Sequence, residues 1–410
     1  MAELPNKITQ INVQSFGKES GDLTQPSHFS YQYHSNNPVS LTMKYQQAPY
    51  NYGALHPIFS QNLPEGYIRR YISEKLRRHA NINDMYLLAL QLDKGIGHLS
   101  YSSEIEKTEV EQLSLNEILT WQGKENLFHQ LLDRHYLNGL VSGVQPKVLV
   151  NALNDTDKPS VGRSLLQQDD FIIKTYDEEF PLLTVNEYVC MEAARACGLA
   201  PSQCWLSDDL RTFITERFDE VNGKRLGIED FTVLMGKQGD EKYQSSYEML
   251  MKATYLYTRS DLQLQRMYQY IIFNCLIGNG DAHLKNFSVQ YEESKTEIVL
   301  TPPYDITHTP IYDTIDNKMA LKLNSAKLFP DRKQLIKLGK TFNINKPEVI
   351  IEKLADTIRD YINYSSEVDI ISGLKESILA SLHCGTSEKY LTKAYIHEKK
   401  KSLSKYSLLV

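Results

Sequence analysis

Several polar residues between positions 281 and 305 have types and spacings that suit the transfer of a phosphoryl group. Asp281 and Asn286 form a D-x-x-x-x-N pattern that includes His283 and Lys285, and Asp305 follows a predicted hairpin. Phosphoryl transfer needs a carboxylate that orients or deprotonates the acceptor hydroxyl, and oxygen ligands for magnesium. We interpret Asp281 as the base, and Asn286 and Asp305 as the magnesium ligands. A D-x-x-x-x-N pattern alone is more typical of a capped turn. The prediction therefore depends on its combination with His283, Lys285, the hairpin and Asp305.

A lysine and a glutamate upstream could complete this chemistry. Lys174 ends an apolar segment that is typical of a strand, so its aliphatic stem can pack while its ammonium group reaches phosphate oxygens. Glu187 lies one turn into the next predicted helix and can pair with Lys174. The ordinary alternatives are a solvated strand lysine and a helix-start glutamate favoured by the helix dipole.

Two further segments are candidates for nucleotide contacts. The loop at residues 142–147 could cradle phosphates with its backbone N–H groups, although it has a single glycine and the chain has neither a Walker A loop nor a G-x-G-x-x-G motif. Residues 216–218 would form a hinge between two lobes, where backbone groups meet adenine. For His283, no second histidine stands at metal-ligand spacing, which favours a structural or phosphate-side role.

The predicted elements can place these residues in two lobes. The small lobe would contain strands at residues 148–150, 171–174 and 212–218, and a helix at residues 185–197 that ends at Gly198. In chain order these elements are strand, strand, helix and strand, which is typical of a small lobe that covers a bound nucleotide. From about residue 226 the pattern becomes helical, except for a hairpin of strands at residues 287–291 and 297–301 that delivers Asp305.

The amino-terminal part reads as a separate unit. Short alternating segments at residues 29–33 and 39–43 are typical of strands, and residues 67–79 of a helix. We predict domain boundaries at 1–110, 111–225 and 226–410. Because no residue of the first unit suits phosphoryl transfer, we expect this unit to be a docking or antitoxin-contacting domain outside the ATP site.

Composition limits the function classes. The chain has 410 residues, of which 41% are hydrophobic and 23% charged, and a net charge of −6. This balance argues against a chain whose main role is to bind nucleic-acid backbones. No signal peptide or membrane-spanning run is visible, and the five cysteines form no CxxC pair or zinc-ligand spacing. We therefore expect a cytoplasmic protein.

A series of motifs covers nearly the whole chain in a fixed order. They are Pro38-Val-Ser-Leu41, Leu63-Pro-Glu-Gly66, Ser142-Gly-Val-Gln-x-Lys147, Phe171-Ile-Ile-Lys174, Asn186-Glu187, Glu216-Arg-Phe-Asp219, Asp281-x-His-x-Lys-Asn286 and Leu300-Thr-Pro-x-Tyr-Asp305. In type and order these motifs resemble those of the HipA-type serine/threonine kinase toxins of bacteria. The Asp281 and Asp305 motifs are the most specific part of the resemblance.

The resemblance implies an α+β, two-lobed protein-kinase-like fold with an extra amino-terminal α/β subdomain. It implies transfer of phosphate from ATP, with Mg²⁺, to serine or threonine of a protein such as an aminoacyl-tRNA synthetase, and so an arrest of growth. It implies a HipB-like helix-turn-helix antitoxin as partner, with DNA bound only through that antitoxin, and no membrane. The ATP contacts implied in addition to the base Asp281 are Ser142, Gly143, Val144, Gln145, Lys147, Lys174, Glu216, Arg217, Phe218, His283, Lys285, Asn286, Tyr304 and Asp305.

The sequence departs from the family pattern at two positions. Leu140 stands where longer members carry an autophosphorylated serine, which leaves Ser142 as the candidate for autophosphorylation. Ile228 stands where a polar residue can contact adenine. Two other classes stay open: a small-molecule or lipid kinase, because lipid kinases share the D-x-H-x-x-N arrangement, and a catalytically silent protein that sequesters an antitoxin.

Overall fold

A computed structural model describes residues 4–105, 113–123, 127–135, 145–154, 167–175, 179–221 and 223–382. The amino-terminal unit is built on a five-stranded antiparallel sheet of order β4-β3-β2-β1-β5. Its elements are β1 (Gln10–Ser15), β2 (Lys18–Thr24), β3 (Phe29–Tyr33), β4 (Tyr50–Tyr52), α1 (Pro57–Ser60), α2 (Gly66–Leu76), α3 (Asp84–Ala89) and β5 (Leu99–Ser102). Alternating burial along β3 confirms the predicted strand, and α2 confirms the predicted helix with an earlier end.

The segment at residues 39–43 is an irregular loop, so the prediction of a strand there is wrong. The Ser40 hydroxyl and the Leu41 backbone N–H each donate to the Glu229 carboxylate at 2.7 Å. Glu229 is fully buried and also accepts from the Tyr291 hydroxyl at 2.5 Å. Polar groups of the loop are thus satisfied by a side chain of the large lobe instead of a neighbouring strand. These bonds fasten the amino-terminal unit to the large lobe.

The small lobe contains a second five-stranded sheet, of order β6-β7-β8-β10-β9. Its elements are β6 (Leu113–Ser114), α4 (Leu115–Leu119), α5 (Leu127–His135), β7 (Lys147–Asn154), β8 (Gln167–Lys174), α6 (Leu183–Ala196), β9 (Cys204–Leu206) and β10 (Phe213–Glu216). The predicted strands and helix are confirmed, with longer β7 and β8 and a shorter β10. Gly198 has φ +74°, and the Leu199 N–H donates to the Ala194 carbonyl at 3.1 Å, so the helix ends as predicted.

The large lobe is mainly helical. It contains β11 (Glu220–Val221), β12 (Lys224–Arg225), β13 (Gly227–Asp230), α7 (Phe231–Leu234), α8 (Tyr247–Thr258), α9 (Asp261–Ile277), β14 (Ser288–Tyr291), β15 (Ile298–Leu300), α10 (Arg332–Thr341), α11 (Pro347–Tyr364) and α12 (Leu374–Ser381). The predicted hairpin is β14–β15, which β13 joins as a third antiparallel strand. Leu300 ends the hairpin five residues before Asp305 and so fixes where this side chain enters the site.

Two hydrophobic cores hold these parts together. One core is shared by the amino-terminal sheet and the small-lobe sheet, through side chains such as Ile11, Phe171 and Ile214. Helix α6 belongs to the other core, where Val185 and Val189 pack with the large-lobe helices. The helix that carries Glu187 is therefore anchored on the large lobe, while the strand that carries Lys174 is anchored on the small lobe. The boundaries at residues 110 and 225 remain a prediction.

Within the described residues, no helix is both long and apolar enough to cross a membrane. Cys190, Cys197, Cys204 and Cys275 are free thiols. Burial raises the pKa of the Cys190 thiol, which keeps it protonated and unreactive at neutral pH.

Candidate active site

A cavity of about 540 Å³ lies between the two lobes, a size within the usual range for ligand sites. The predicted site residues of the described part all line it: Gln145, Lys147, Lys174, Glu216, Arg217, Phe218, Asp281, His283, Lys285, Asn286, Tyr304 and Asp305. Ser142, Gly143 and Val144 lie outside the described residues. Side chains that are far apart in sequence therefore converge on one space.

The strand register brings two lysines to one end of the small-lobe sheet. Lys147 on β7 lies opposite Lys174 on β8, and both side chains are buried. The Lys174 ammonium donates at 2.5 Å to Glu187 and at 2.5 Å to Asp305, while Lys147 lies 3.9 Å from the second oxygen of Asp305. The prediction that Glu187 pairs with Lys174 is confirmed.

Burial and charge act in opposite directions on these groups. Burial disfavours the charge on Lys174, but the carboxylates Asp305 and Glu187 outweigh it and raise the pKa of this lysine. Burial and the repulsion of Asp305 raise the pKa of Glu187 against the attraction of Lys174, and one of its oxygens is buried without a hydrogen-bond partner in the described structure. Burial lowers the pKa of Lys147 against the attraction of Asp305 and Glu187. The arrangement concentrates positive charge beside a cavity, with Lys147 in a looser ion pair than Lys174.

The loop that carries Asp281 is shaped by the end of helix α9. Gly278 has φ +78°, and a Cβ added there would meet His308 and Ser381 at 2.8 Å, so only glycine fits. The Asn279 side chain then accepts from the Asp281 backbone N–H at 3.1 Å. Its amide group donates to the Asn274 side chain of α9 at 2.7 Å. The backbone at Asp281 is thereby tied to a rigid helix, as a positioned base requires.

Asp281 is exposed to the cavity, and its environment disfavours ionisation. The cleft walls desolvate the Asp281 carboxylate, and the negative charge of Asp305 repels it. Together these two effects raise the pKa of Asp281 from its ordinary 3.8 to about 6. Lys242, a hydrogen bond from the Tyr243 hydroxyl and Lys147 act in the opposite direction. A carboxyl group with a pKa near 6 is deprotonated at neutral pH and is a better proton acceptor than an ordinary aspartate.

Asp305 and Asn286 meet at one point on the cavity wall. The Asn286 amide nitrogen lies 3.2 Å from the Asp305 carboxylate. Asp305 has φ +59°, a left-handed conformation that is unusual for a residue other than glycine and is often retained at functional sites. The Asp305 side chain is only 32% exposed and is bound to two buried lysines, because the hairpin directs it inward.

His283 is held as a neutral ring. Burial and Lys242 lower the pKa of His283 to about 4, and its ring packs edge-on against Tyr243 with 5.2 Å between centroids. Its Nδ1 atom is buried without a hydrogen-bond partner in the described structure. No group of three or more His, Cys, Asp or Glu side chains in the described ranges could hold a metal. The predicted structural or phosphate-side role is compatible with this environment.

The hinge at residues 216–218 is fixed by a buried ion network. The Arg217 guanidinium binds Asp219 at 2.6 Å and Asp170 at 3.3 Å and donates to the Gly95 carbonyl at 3.0 Å. Phe218 stacks on Tyr304, with 5.6 Å between centroids. The Arg217 side chain therefore stabilises the hinge, and its contact with ATP stays a prediction.

The sequence did not indicate several residues that the structure places at the site. Tyr243 lies beside Asp281, and Glu65 binds the ammonium groups of Lys242 and Lys285 at 3.0 and 2.7 Å. Gln61, Asn62 and Ile96 of the amino-terminal unit line the cavity together with the buried Ile228. The expectation that residues 1–110 lie outside the site is therefore wrong. The Leu63–Gly66 motif was the available signal, but without a tertiary contact it gave no chemical role.

Fold and site together define a class of protein: a two-lobed chain of the protein-kinase-like fold with an extra amino-terminal α/β subdomain. Residues 139–362 match the HipA-like C-terminal domain, and residues 11–102 match the HipA N-terminal domain. The chain belongs to the HipA-like family. The order of motifs in the sequence had indicated this family, and the prediction is confirmed.

Individual relatives agree with this membership. The chain is 25% identical over 354 residues to the candidate kinase Y4mE of Sinorhizobium fredii, which covers 77% of this chain and 81% of the relative. It is 26% identical over 207 residues to the serine/threonine-protein kinase toxin HipA of Shewanella oneidensis, covering 45% and 46% of the two chains. HipA in the solved complex of Shewanella oneidensis HipA, HipB and operator DNA has a TM-score of 0.66 at 20% identity, with 93% of this chain and 97% of that chain covered. The structural likeness shows the fold.

Proposed function

We propose that this chain is a serine/threonine protein kinase that transfers the γ-phosphate of ATP to a protein hydroxyl. The observation that carries the proposal is the convergence of Asp281, Asn286, Asp305 and Lys174 on one cavity. A scaffold protein has no physical need to bury two lysines and a carboxylate beside an exposed base whose ionisation is disfavoured.

The donor set suits magnesium. Asp305 offers a carboxylate, and Asn286 offers an amide oxygen that here accepts from the His283 backbone N–H at 3.0 Å. Mg²⁺ prefers such oxygen ligands, with phosphates and water completing its shell. Asp305 and Asn286 would hold the ion, which when bound would neutralise phosphate charge. Lys174 and Lys147 would bind the phosphates in place of part of their present contact with Asp305.

The base acts on the acceptor hydroxyl. The oxygen of a serine or threonine attacks the γ-phosphorus, the bond to the leaving ADP oxygen breaks, and the hydroxyl proton passes to a carboxylate oxygen of Asp281. The Tyr243 hydroxyl favours the ionised form of that carboxylate. The hinge residues Glu216 to Phe218 would face the adenine, with Ile228 as an apolar wall.

The biological role proposed is that of a toxin. Support comes from a relative named as a kinase toxin and from a matched structure that contains HipB and operator DNA. We propose a HipB-like antitoxin as partner, an action in the cytoplasm, and a component of translation such as an aminoacyl-tRNA synthetase as substrate. Autophosphorylation at Ser142 would block the phosphate loop by charge and bulk.

Transfer from labelled ATP tests the proposal. Purified protein with ATP and magnesium is expected to label protein and not lipid or small molecules. Brief expression is expected to change the phosphoproteome at serine or threonine, relative to expression of an Asp281→Asn variant. Labelled lipid or metabolite without labelled protein would favour the small-molecule or lipid kinase. The absence of all transfer by a folded, ATP-binding protein would favour the silent antitoxin-binding class.

The pH dependence of transfer is expected to reflect Asp281. Since the base must be deprotonated and its pKa is raised to about 6, kcat/KM is expected to fall about tenfold per pH unit below that value. An ordinary aspartate would keep its activity to about pH 4. Removal of the Tyr243 hydrogen bond, which lowers this pKa, should move the acid limb of a Tyr243→Phe variant to higher pH. Thermal unfolding measured at each pH distinguishes titration of the base from acid unfolding of the protein. If wild type and Tyr243→Phe lose kcat/KM over the same acidic pH range, the assignment of this titration to Asp281 is contradicted.

A further inference from the structure

Glu65 joins the amino-terminal unit to two lysines near the base. One carboxylate oxygen accepts from Lys285 at 2.7 Å and the other from Lys242 at 3.0 Å. Glu65 immediately precedes helix α2, but its side chain makes no capping hydrogen bond to that helix. The side chain is directed instead to the large lobe, so its position serves the contact between the two units.

Each of the two lysines is the sequence neighbour of a group used in the reaction. Lys242 precedes Tyr243, whose hydroxyl lowers the pKa of Asp281, and Lys285 precedes Asn286. The Lys242 and Lys285 side chains are only 7% and 16% exposed. Ammonium groups so little hydrated need an anionic partner. Without Glu65 both ammonium groups would lose this carboxylate, and the contacts that replace it would displace the adjoining residues.

One other anion near Lys242 is the base itself. Lys242 is close enough to Asp281 to lower the pKa of that carboxyl. Asp305, Lys242, Tyr243 and Lys147 are the groups that act most strongly on the pKa of the Asp281 carboxyl. Of these, Lys147 faces Asp305. Glu65 is thus the anion that keeps Lys242 away from the base and leaves the Asp281 carboxylate open to a hydroxyl group.

We infer that Glu65 is a positioning residue for phosphoryl transfer, which holds Lys242 and Lys285 so that Tyr243 and the loop of Asp281 and Asn286 keep their productive geometry. The inference rests on the proposed function. It makes the amino-terminal unit part of the catalytic apparatus, although that unit supplies no group that touches the reacting atoms.

A matched pair of variants tests this role in the full chain. Glu65→Gln keeps the size of the side chain and removes its charge. Glu293→Gln is the control, because the Lys18–Glu293 pair also joins the amino-terminal unit to the large lobe, but its side chains are 64% and 48% exposed and do not line the cavity. Glu65→Asp retains the charge on a shorter side chain and serves as the conservative variant.

Turnover and loop protection are the two measurements. Glu65→Gln is expected to lower kcat about ten- to a hundredfold with a smaller rise in the KM for ATP, because Lys147, Lys174 and Asp305 are untouched while the loop of Lys285 and Asn286 is loosened. Amide hydrogen exchange of residues 279–287 is expected to accelerate. Glu65→Asp is expected to recover part of the lost kcat, and Glu293→Gln to match wild type in both measurements.

The outcomes separate this inference from the proposed function. Wild-type kcat and wild-type exchange in a folded Glu65→Gln protein would overturn the inference and leave the kinase proposal intact, as would a loss confined to KM. If Glu65→Gln and Glu293→Gln lose kcat equally, Glu65 is only one of the contacts that join the two units and has no specific positioning role. If wild type transfers no phosphate, the proposed function fails, and loop exchange alone decides whether Glu65 holds the loop. If Glu65→Gln does not fold, the same measurements on Glu65→Asp decide, with an intermediate loss expected.

Discussion

Replacement of Asp281 by asparagine is expected to abolish phosphoryl transfer while ATP binding stays intact. The substitution preserves shape and removes the proton acceptor, an effect of about 10²–10⁴-fold for a general base. Nucleotide affinity should persist because Asp281 makes no contact with Lys147 or Lys174 closer than 4.0 Å in the described structure, where those lysines bind Glu187 and Asp305. Stability should change little, since the side chain is exposed to the cavity. Calorimetry of ATP binding beside transfer to protein checks both parts.

A control for this substitution is Asp316→Asn, which changes an exposed aspartate of the same lobe that does not line the cavity. The control should retain transfer and growth arrest, and Asp281→Asn should lose both. Normal transfer by the Asp281→Asn protein would refute the assignment of the base.

Replacement of Asp305 by asparagine is expected to act on the metal–nucleotide complex itself. Asparagine tolerates the left-handed backbone at φ +59°, so the loss of charge is the main change. Magnesium would lose its carboxylate, and ATP affinity in the presence of magnesium should fall, with partial recovery in excess magnesium. This dependence on magnesium distinguishes the lesion from that of Asp281→Asn.

The Asp305→Asn protein is also expected to be less stable, unlike the Asp281 variant. Burial opposes the charge on Asp305, but Lys147 and Lys174 outweigh it and hold the pKa of Asp305 well below its usual range. Removal of one partner of a buried ion pair costs about 3–5 kcal/mol. Because the Asp305 side chain is 32% exposed, we expect the free energy of unfolding to fall by only about 1–3 kcal/mol. Denaturant unfolding measures it, and an unchanged midpoint together with unchanged magnesium-dependent ATP affinity would contradict the role given to Asp305.

The sequence by itself determined the local elements and the residues able to do the chemistry. The apolar strand that ends at Lys174, the helix that ends at Gly198 and the hairpin before Asp305 each follow from local periodicity and from glycine positions. Such signals depend on neighbours in the chain and can be read without coordinates. The order of motifs also indicated the family, because that order is a property of the sequence alone.

Only the tertiary structure decided the environment of each group. Residues 39–43 alternate as a strand would, yet they form a loop because Glu229, far away in sequence, satisfies their polar groups. Asp281 and Asp305 looked alike as acidic loop residues, but one is open to the cavity and the other is held by two buried lysines. The sequence indicated no chemical role for Glu65, and only the structure shows that it pairs with Lys242 and Lys285. Burial and long-range charge pairing arise from contacts between distant segments, so the sequence could name the groups but not their ionisation or their partners.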